Sequence, residues 1–172
     1  TNVVISGNSA SGNGGGIYCE ECNPILINVT ISGNVAFQGA GVYSYEQNDI
    51  TISNSVVWNN SIFSGLPISI TYSNIQGGWE GEGNIDADPS FCNADSSNYT
   101  LYDNSPCVGT GENGENMGAM DVGCYANPPE LSPIGDQIID EDTMIDIPLS
   151  ASDPDGDILT FTAVSDNEEV LV

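Results

Sequence analysis

Asn2-Val-Val-Ile-Ser-Gly-Asn8 recurs as Asn28-Val-Thr-Ile-Ser-Gly-Asn34, and again, degraded, as Asn54-Ser-Val-Val-Trp-Asn-Asn60, at an offset of 26 residues each time. The rest of the unit repeats as well. Gly15-Gly16-Ile17-Tyr18 aligns with Ala40-Gly41-Val42-Tyr43, and Asn23-Pro24-Ile25-Leu26-Ile27 aligns with Asn48-Asp49-Ile50-Thr51-Ile52. Asn74-Ile75 reads as that third run one turn on. Each unit therefore holds three short apolar runs separated by Gly, Asn or Ser. Three short strands with three turns fill about 20–30 residues, a common solenoid period. Side chains alternate across a strand. Val3 and Ile5, Val29 and Ile31, and Ser55 and Val57 are thus expected to point inward at equal heights. Asn8, Asn34 and Asn60 are expected to stack at one corner, satisfying turn groups and one another along the axis. The alternation and the Gly and Asn density exclude a helical repeat.

These residues resemble a known family. The pattern N-x-T-I-S-G-N-x-A…G-G-I-Y, followed by N-S-x-V-W-N-N, is similar to the right-handed parallel β-helix repeats of bacterial surface and secreted proteins, the pectate-lyase-like superfamily in the broad sense. Gly83-Asn-Ile-Asp-Ala-Asp-Pro-Ser-Phe91, Tyr99-Thr-Leu101, Ser105-Pro106 and Met117-Gly118-Ala119 resemble the tail that closes many such coils. The resemblance spans residues 1–127 and implies an all-β fold of about three coils. Enzymes of that superfamily pair acidic residues with arginine, lysine or histidine, and this chain has none. The resemblance therefore implies the fold without the catalysis.

Composition narrows function further. The 172 residues include 25 Asp and Glu and no Lys, Arg or His, for a formal charge of −25. Nucleic acid is excluded as a natural partner, because phosphate contacts need cations. Anionic membranes are disfavoured for the same reason, and no apolar stretch is long enough for membrane insertion. Oxygen ligands for a hard cation such as calcium are plentiful. No imidazole is present to act as a base, so the only catalytic design left is a carboxylate pair cleaving a glycoside, with Glu82, Asp86 and Asp88 as candidates. The commoner reading of such charges is a solvated surface, and the chain is expected not to be an enzyme. It also offers trypsin-like proteases no Lys or Arg bond, so resistance to them is expected.

Five cysteines and three N-x-S/T sequons, at Asn28, Asn59 and Asn98, point to an extracellular or cell-surface location. The pattern is already under way at Thr1, which reads as an internal segment of a longer precursor. Cys19-Glu-Glu-Cys22 admits a zinc half-site, a redox pair or a local disulfide, with the local disulfide preferred because no His completes a zinc site. Cys107 and Cys124 flank a Gly-rich loop and are the second expected pair, a closure worth about 3 kcal/mol. Cys92 is left without an assigned partner.

Residues 76–127 lose the period, and Gly77-Gly78-Trp79-Glu80-Gly81-Glu82-Gly83 reads as a flexible acidic excursion. A solenoid end needs a cap, and Phe91, Tyr99, Leu101 and Tyr102 are the expected plugs. The domain reading is coils over 1–91, a cap over 92–127, and a second module over 128–172 that begins after a Pro-Pro linker.

In that module, Met144/Asp146/Pro148 alternate with Ile145/Ile147/Leu149, and Leu159, Phe161 and Ala163 alternate again, so two strands are expected around the turn at Asp153-Pro-Asp-Gly-Asp157. The motifs I-x-D-E-D-T and L-S-A-S-D-P-D-G-D-x-L-T-F resemble the first half of bacterial cadherin-like or immunoglobulin-like surface repeats. Calcium is one reading of Glu141, Asp142, Asp153, Asp155 and Asp157, and a solvated turn is the other. A β-sandwich of this type needs roughly 100 residues, so completion by another chain, or by adjacent repeats of the same chain, is expected.

Two functions from different classes follow. The first is an extracellular structural or adhesive protein, a filament subunit assembling with itself head to tail. The second is a glycan-binding module that uses Tyr18, Tyr43, Tyr45, Trp58 and Trp79 as an aromatic stripe.

Overall fold

A computed structural model describes residues 2–45, 49–140, 143–154 and 158–162. The chain divides into two compact units, residues 1–125 and 126–172.

The first unit is a stack of parallel coils. Coil 1 holds β1 (Val3–Ser6), β2 (Ile17–Glu20) and β3 (Ile25–Ile27). Coil 2 holds β4 (Val29–Ser32), β5 (Val42–Tyr45) and β6 (Thr51–Ser53). Coil 3 holds β7 (Val56–Trp58), β8 (Ile62–Ser64) and β9 (Ser69–Thr71), and β10 (Asn74–Ile75) opens a fourth turn. Three parallel sheets result, ordered β1-β4-β7-β10, β2-β5-β8 and β3-β6-β9. This is the parallel β-helix that the repeat predicts.

Two details differ from the expected alignment. In the third run Ile25 pairs with Thr51 and Leu26 with Ile52, one residue later than the motif alignment placed them. Asn74 pairs with Val56 and Ile75 with Val57, so this dipeptide belongs to the first run, and Ser69–Thr71 occupies the third. The second difference comes from a shorter third coil. Val29 follows its partner Val3 by 26 positions, whereas Asn74 follows Val56 by 18. The segment linking the first and second runs, bridged at Ser9↔Val35 and Asn13↔Gln38 in coils 1 and 2, is nearly absent after Asn60.

The corners explain the spacing of Asn and Gly. Asn2, Asn28 and Asn54 precede the first-run strands at φ of 55°, 53° and 47°. Asn tolerates this left-handed region better than most side chains. At the other end of that run Gly7 and Gly33 are left-handed, and Asn59 takes the equivalent place in coil 3 with φ of 51°.

The interior is one aliphatic column. Val29, Ile31, Val42, Ile50, Ile52, Val57 and Ile70 are buried together, with Ile5, Ile17 and Leu26 packed against them. Val3 departs from the expectation: at the edge of the first sheet it remains 46% exposed.

The closing segment does not plug the end as expected. The end of the column is closed by Trp79, which packs against it, and by the returning chain. Tyr72 N–H donates to the Glu82 carbonyl, Ile85 N–H to the Ser73 carbonyl, and Ile75 N–H to the Ile85 carbonyl. The acidic excursion is therefore an ordered return that builds the closure. Leu101 and Phe91 lie on the flank of the first sheet with Val56 and Trp58, and Tyr99 meets Phe91 edge-on. They belong to a small sheet of β11 (Phe91–Asn93), β12 (Asn98–Tyr102) and β13 (Val122–Cys124). The outward residues Val56 and Thr30 of the first sheet were free to be polar on a bare coil. Covered by this flank, they are 0% and 1% exposed.

The expected Cys107–Cys124 pair is not formed. Cys124 is joined to Cys92, with Cα atoms 6.0 Å apart, and Cys107 is a buried thiol. Both pairings of β12 are irregular here, with register shifts at Phe91/Asn93 in the pairing with β11 and at Leu101/Tyr102 in the pairing with β13, and the two cysteines meet at those irregularities. Cys19 and Cys22 are joined to each other.

In the second unit, β14 (Glu130–Leu131) pairs antiparallel with β15 (Ala151–Ser152). Residues 143–150 and 158–162 are outside any strand, contrary to the two strands expected there, and Ala163 lies outside the described residues. The apolar alternation finds no sheet to bury it. Met144, Ile145, Ile147, Leu149 and Phe161 are all exposed. Immunoglobulin- or cadherin-like packing is thus not present among the described residues.

Candidate functional site

Three side-chain ladders run along the coil axis. At the first corner, Asn8 Nδ2 donates to Asn34 Oδ1 at 2.9 Å, and Asn34 Nδ2 donates to Asn60 Oδ1 at 2.9 Å. Asn34 Nδ2 also reaches the Ile5 carbonyl, and Asn60 Nδ2 the Asn34 carbonyl. The amides thus tie each coil to the next, and Asn34 is only 4% exposed.

A second ladder escaped sequence reasoning. Val29 N–H donates to Ser55 Oγ, Ser55 N–H to Ser73 Oγ, and Ser73 N–H to Asn84 Oδ1. Its members are 18 and 11 residues apart. No constant period exists to reveal it.

The third ladder is aromatic. Tyr18 stacks on Tyr43 at 5.4 Å and 9°, and Tyr43 on Phe63 at 5.0 Å and 6°. Sugar recognition by stacking needs an open ring face. Tyr43 is sandwiched and 7% exposed, while Tyr18 is 54% exposed. The expected five-residue stripe is dispersed. Tyr18, Tyr43 and Tyr45 belong to the second sheet, Trp58 packs into the flank cluster, and Trp79 closes the column.

The candidate carboxylates serve their own turns. Glu82 Oε1 accepts from the Tyr72 hydroxyl at 2.6 Å, Asp86 Oδ1 from Gly77 N–H, and Asp88 Oδ1 from Ser90 N–H. The hydrogen bond to Glu82, then desolvation and the nearby negative charge, raises the Tyr72 pKa above its ordinary 10.0.

Of the expected calcium ligands, Asp153 is described, and Glu141, Asp142, Asp155 and Asp157 lie outside the described residues. Among the described residues no group of three or more His, Cys, Asp or Glu is placed to hold a metal ion. The sequons differ in access. Asn59 and Asn98 are exposed, whereas Thr30 of the Asn28 sequon is buried and accepts from Ala119 N–H.

Cys107 lies between the flank and the coil. Asn74 Nδ2 donates to its Sγ at 3.1 Å, and burial pushes the thiol pKa up. The adjoining segment is a strap over two coils. Glu112 N–H donates to Asn54 Oδ1, Gly118 N–H to the Asn54 carbonyl, and Ala119 N–H to Thr30 Oγ1.

Residues 1–79 match the model of the family described as periplasmic copper-binding protein (NosD). It is a parallel β-helix family, and the match covers the coils and stops at the closure. No match is found among the curated proteins or the solved structures. A periplasmic family and two disulfides agree on a location outside the cytoplasm. No helix among the described residues is long and apolar enough to cross a membrane.

Proposed function

We propose that this chain is a structural or adhesive element outside the cytoplasm, whose coil stack associates with further β-structure and builds filaments head to tail. The observation that supports the reading is the run of ladders along the coil axis. Asparagine amides and stacked rings tie each coil to the next, so a further strand added along the axis extends both. The stack closes at Trp79 and Ile85, where the chain returns over the column.

The donor in this reading is the segment 143–150 of another copy, where Met144, Ile145, Ile147 and Leu149 stand exposed. Strand addition would bury them. The chain's own negative charge opposes contact between copies, so calcium or high salt is expected to favour assembly. Catalysis has no part in the reading, and neither does copper. Glycan binding remains the second reading, with Tyr18 and Tyr45 as its exposed rings. A glycan array probed with the chain and with Tyr18→Ala tests it.

The filament reading is tested by sedimentation velocity and electron microscopy with calcium present, comparing the chain with Ile147→Pro. Concentration-dependent assembly that the proline abolishes supports it. A chain that stays monomeric at every concentration and salt sinks it.

A further inference from the structure

We infer that this chain, in its disulfide-bonded form, holds no copper, and that what residues 1–79 share with the periplasmic copper-binding family is the coil stack alone. Copper selects imidazole, thiolate and thioether donors. The chain contains no His. Its three Met residues, Met117, Met120 and Met144, all lie outside the matched segment. Within that segment the soft donors are Cys19 and Cys22, and these are bonded to each other, with Cys19 buried in the aliphatic column.

The remaining sulfur atoms do not repair the deficit. Cys92 and Cys124 are bonded to each other. Cys107 and Met117 share the flank cluster, and both are 0% exposed. A metal needs the thiolate, whereas Cys107 sits beneath the strap with its Sγ accepting from Asn74, in surroundings that favour the neutral thiol. Met120 is partly exposed in the first unit and Met144 belongs to the second. A lone carboxylate holds Cu(II) weakly, and among the described residues no three acidic or thiol groups converge to hold a metal ion.

The positions that stack along the matched coils are filled by groups serving the backbone. Asn8, Asn34 and Asn60, with Ser55 and Ser73, spend their polar atoms on adjoining coils. Isoleucine and valine fill the interior. The matched residues 1–79 coincide with the coils that these side chains build.

The test is a competition titration of the full chain, with both disulfides first verified by alkylation and mass measurement without reductant. Cu(I) is presented with bicinchoninate as competitor, and Cu(II) with glycine as competitor in excess magnesium. The expected result is that the competitor keeps its copper in both titrations and that the unfolding midpoint of the chain does not move. Withdrawal of one equivalent of either ion overturns the inference. Repeating the titration with Cys107→Ser then locates the fault. Loss of uptake identifies the flank thiol as a ligand, and persistence identifies an oxygen site; either outcome leaves the inference overturned.

Discussion

Asparagine has two separate duties in this coil, and its position decides which. Asn2, Asn28 and Asn54 supply a left-handed corner. Asn8, Asn34 and Asn60 supply amides that cross between coils. The second duty is legible in the sequence because the motif repeats without a gap. The first is masked at Asn28, where the same residue opens a sequon. Asn34 is bonded on both sides and nearly buried, whereas Asn8 is exposed at the edge. Asn34→Ala leaves buried partners unsatisfied and is expected to lower stability by about 1–3 kcal/mol. Asn8→Ala should cost less than half as much, and urea unfolding of the two variants measures the difference. Tyr72 carries the pH dependence of the closure. Its pKa is raised in the folded chain, so its contribution is fully present below pH 10.0, the ordinary value, and is lost as pH rises through the folded value. Tyrosinate absorbance should show a late-titrating component that Tyr72→Phe removes.

At the scale of elements, the strap and flank sheet change what the outer face of the first sheet is for. A bare coil would leave Thr30 and Val56 in water, but here they anchor residues 105–119. Gly118 illustrates the closeness. Its φ is +101°, and a Cβ there would lie 2.9 Å from Thr30 Oγ1. None of this was readable in advance. The anchoring bonds join residues 58 and 89 positions apart, and no period links them. The same holds for the cysteines, since nearness along the chain favours Cys107 as the partner of Cys124, while register shifts on both sides of β12 bring Cys92 to it. Two outcomes follow. Cys107 should resist a thiol reagent in the native chain and react once the chain is unfolded, and peptide mapping should recover Cys92 linked to Cys124. Met117→Ala, which opens a cavity under the strap, should cost about 2–5 kcal/mol by urea unfolding and expose the Cys107 thiol.

For the whole molecule the governing quantity is charge. With a formal charge of −25 and no cationic side chain, every charged pair is repulsive. Salt screens such repulsion over about 10 Å at 0.1 M. The unfolding midpoint should therefore rise steadily between low and moderate sodium chloride, and a midpoint that falls would show that some other interaction dominates. The two units also mark where sequence reasoning succeeds and where it stops. Stacked coils satisfy one another locally, so a motif repeated in sequence is a contact in space. The second unit has an apolar alternation but no facing sheet among its described residues, and alternation alone does not make a strand.

The strap also gives the molecule a mechanical grain. It laces coil 2 at Thr30 to coil 3 at Asn54, and Asn74 ties the next turn to the flank at Cys107. Among the described residues, the strap's bonds reach coils 2 and 3 and leave coil 1 out. Tension along the axis would then meet a graded series of coils rather than a uniform rod. Coil 1 should part from coil 2 at low force, and the laced body should open only at a higher force, in a separate step.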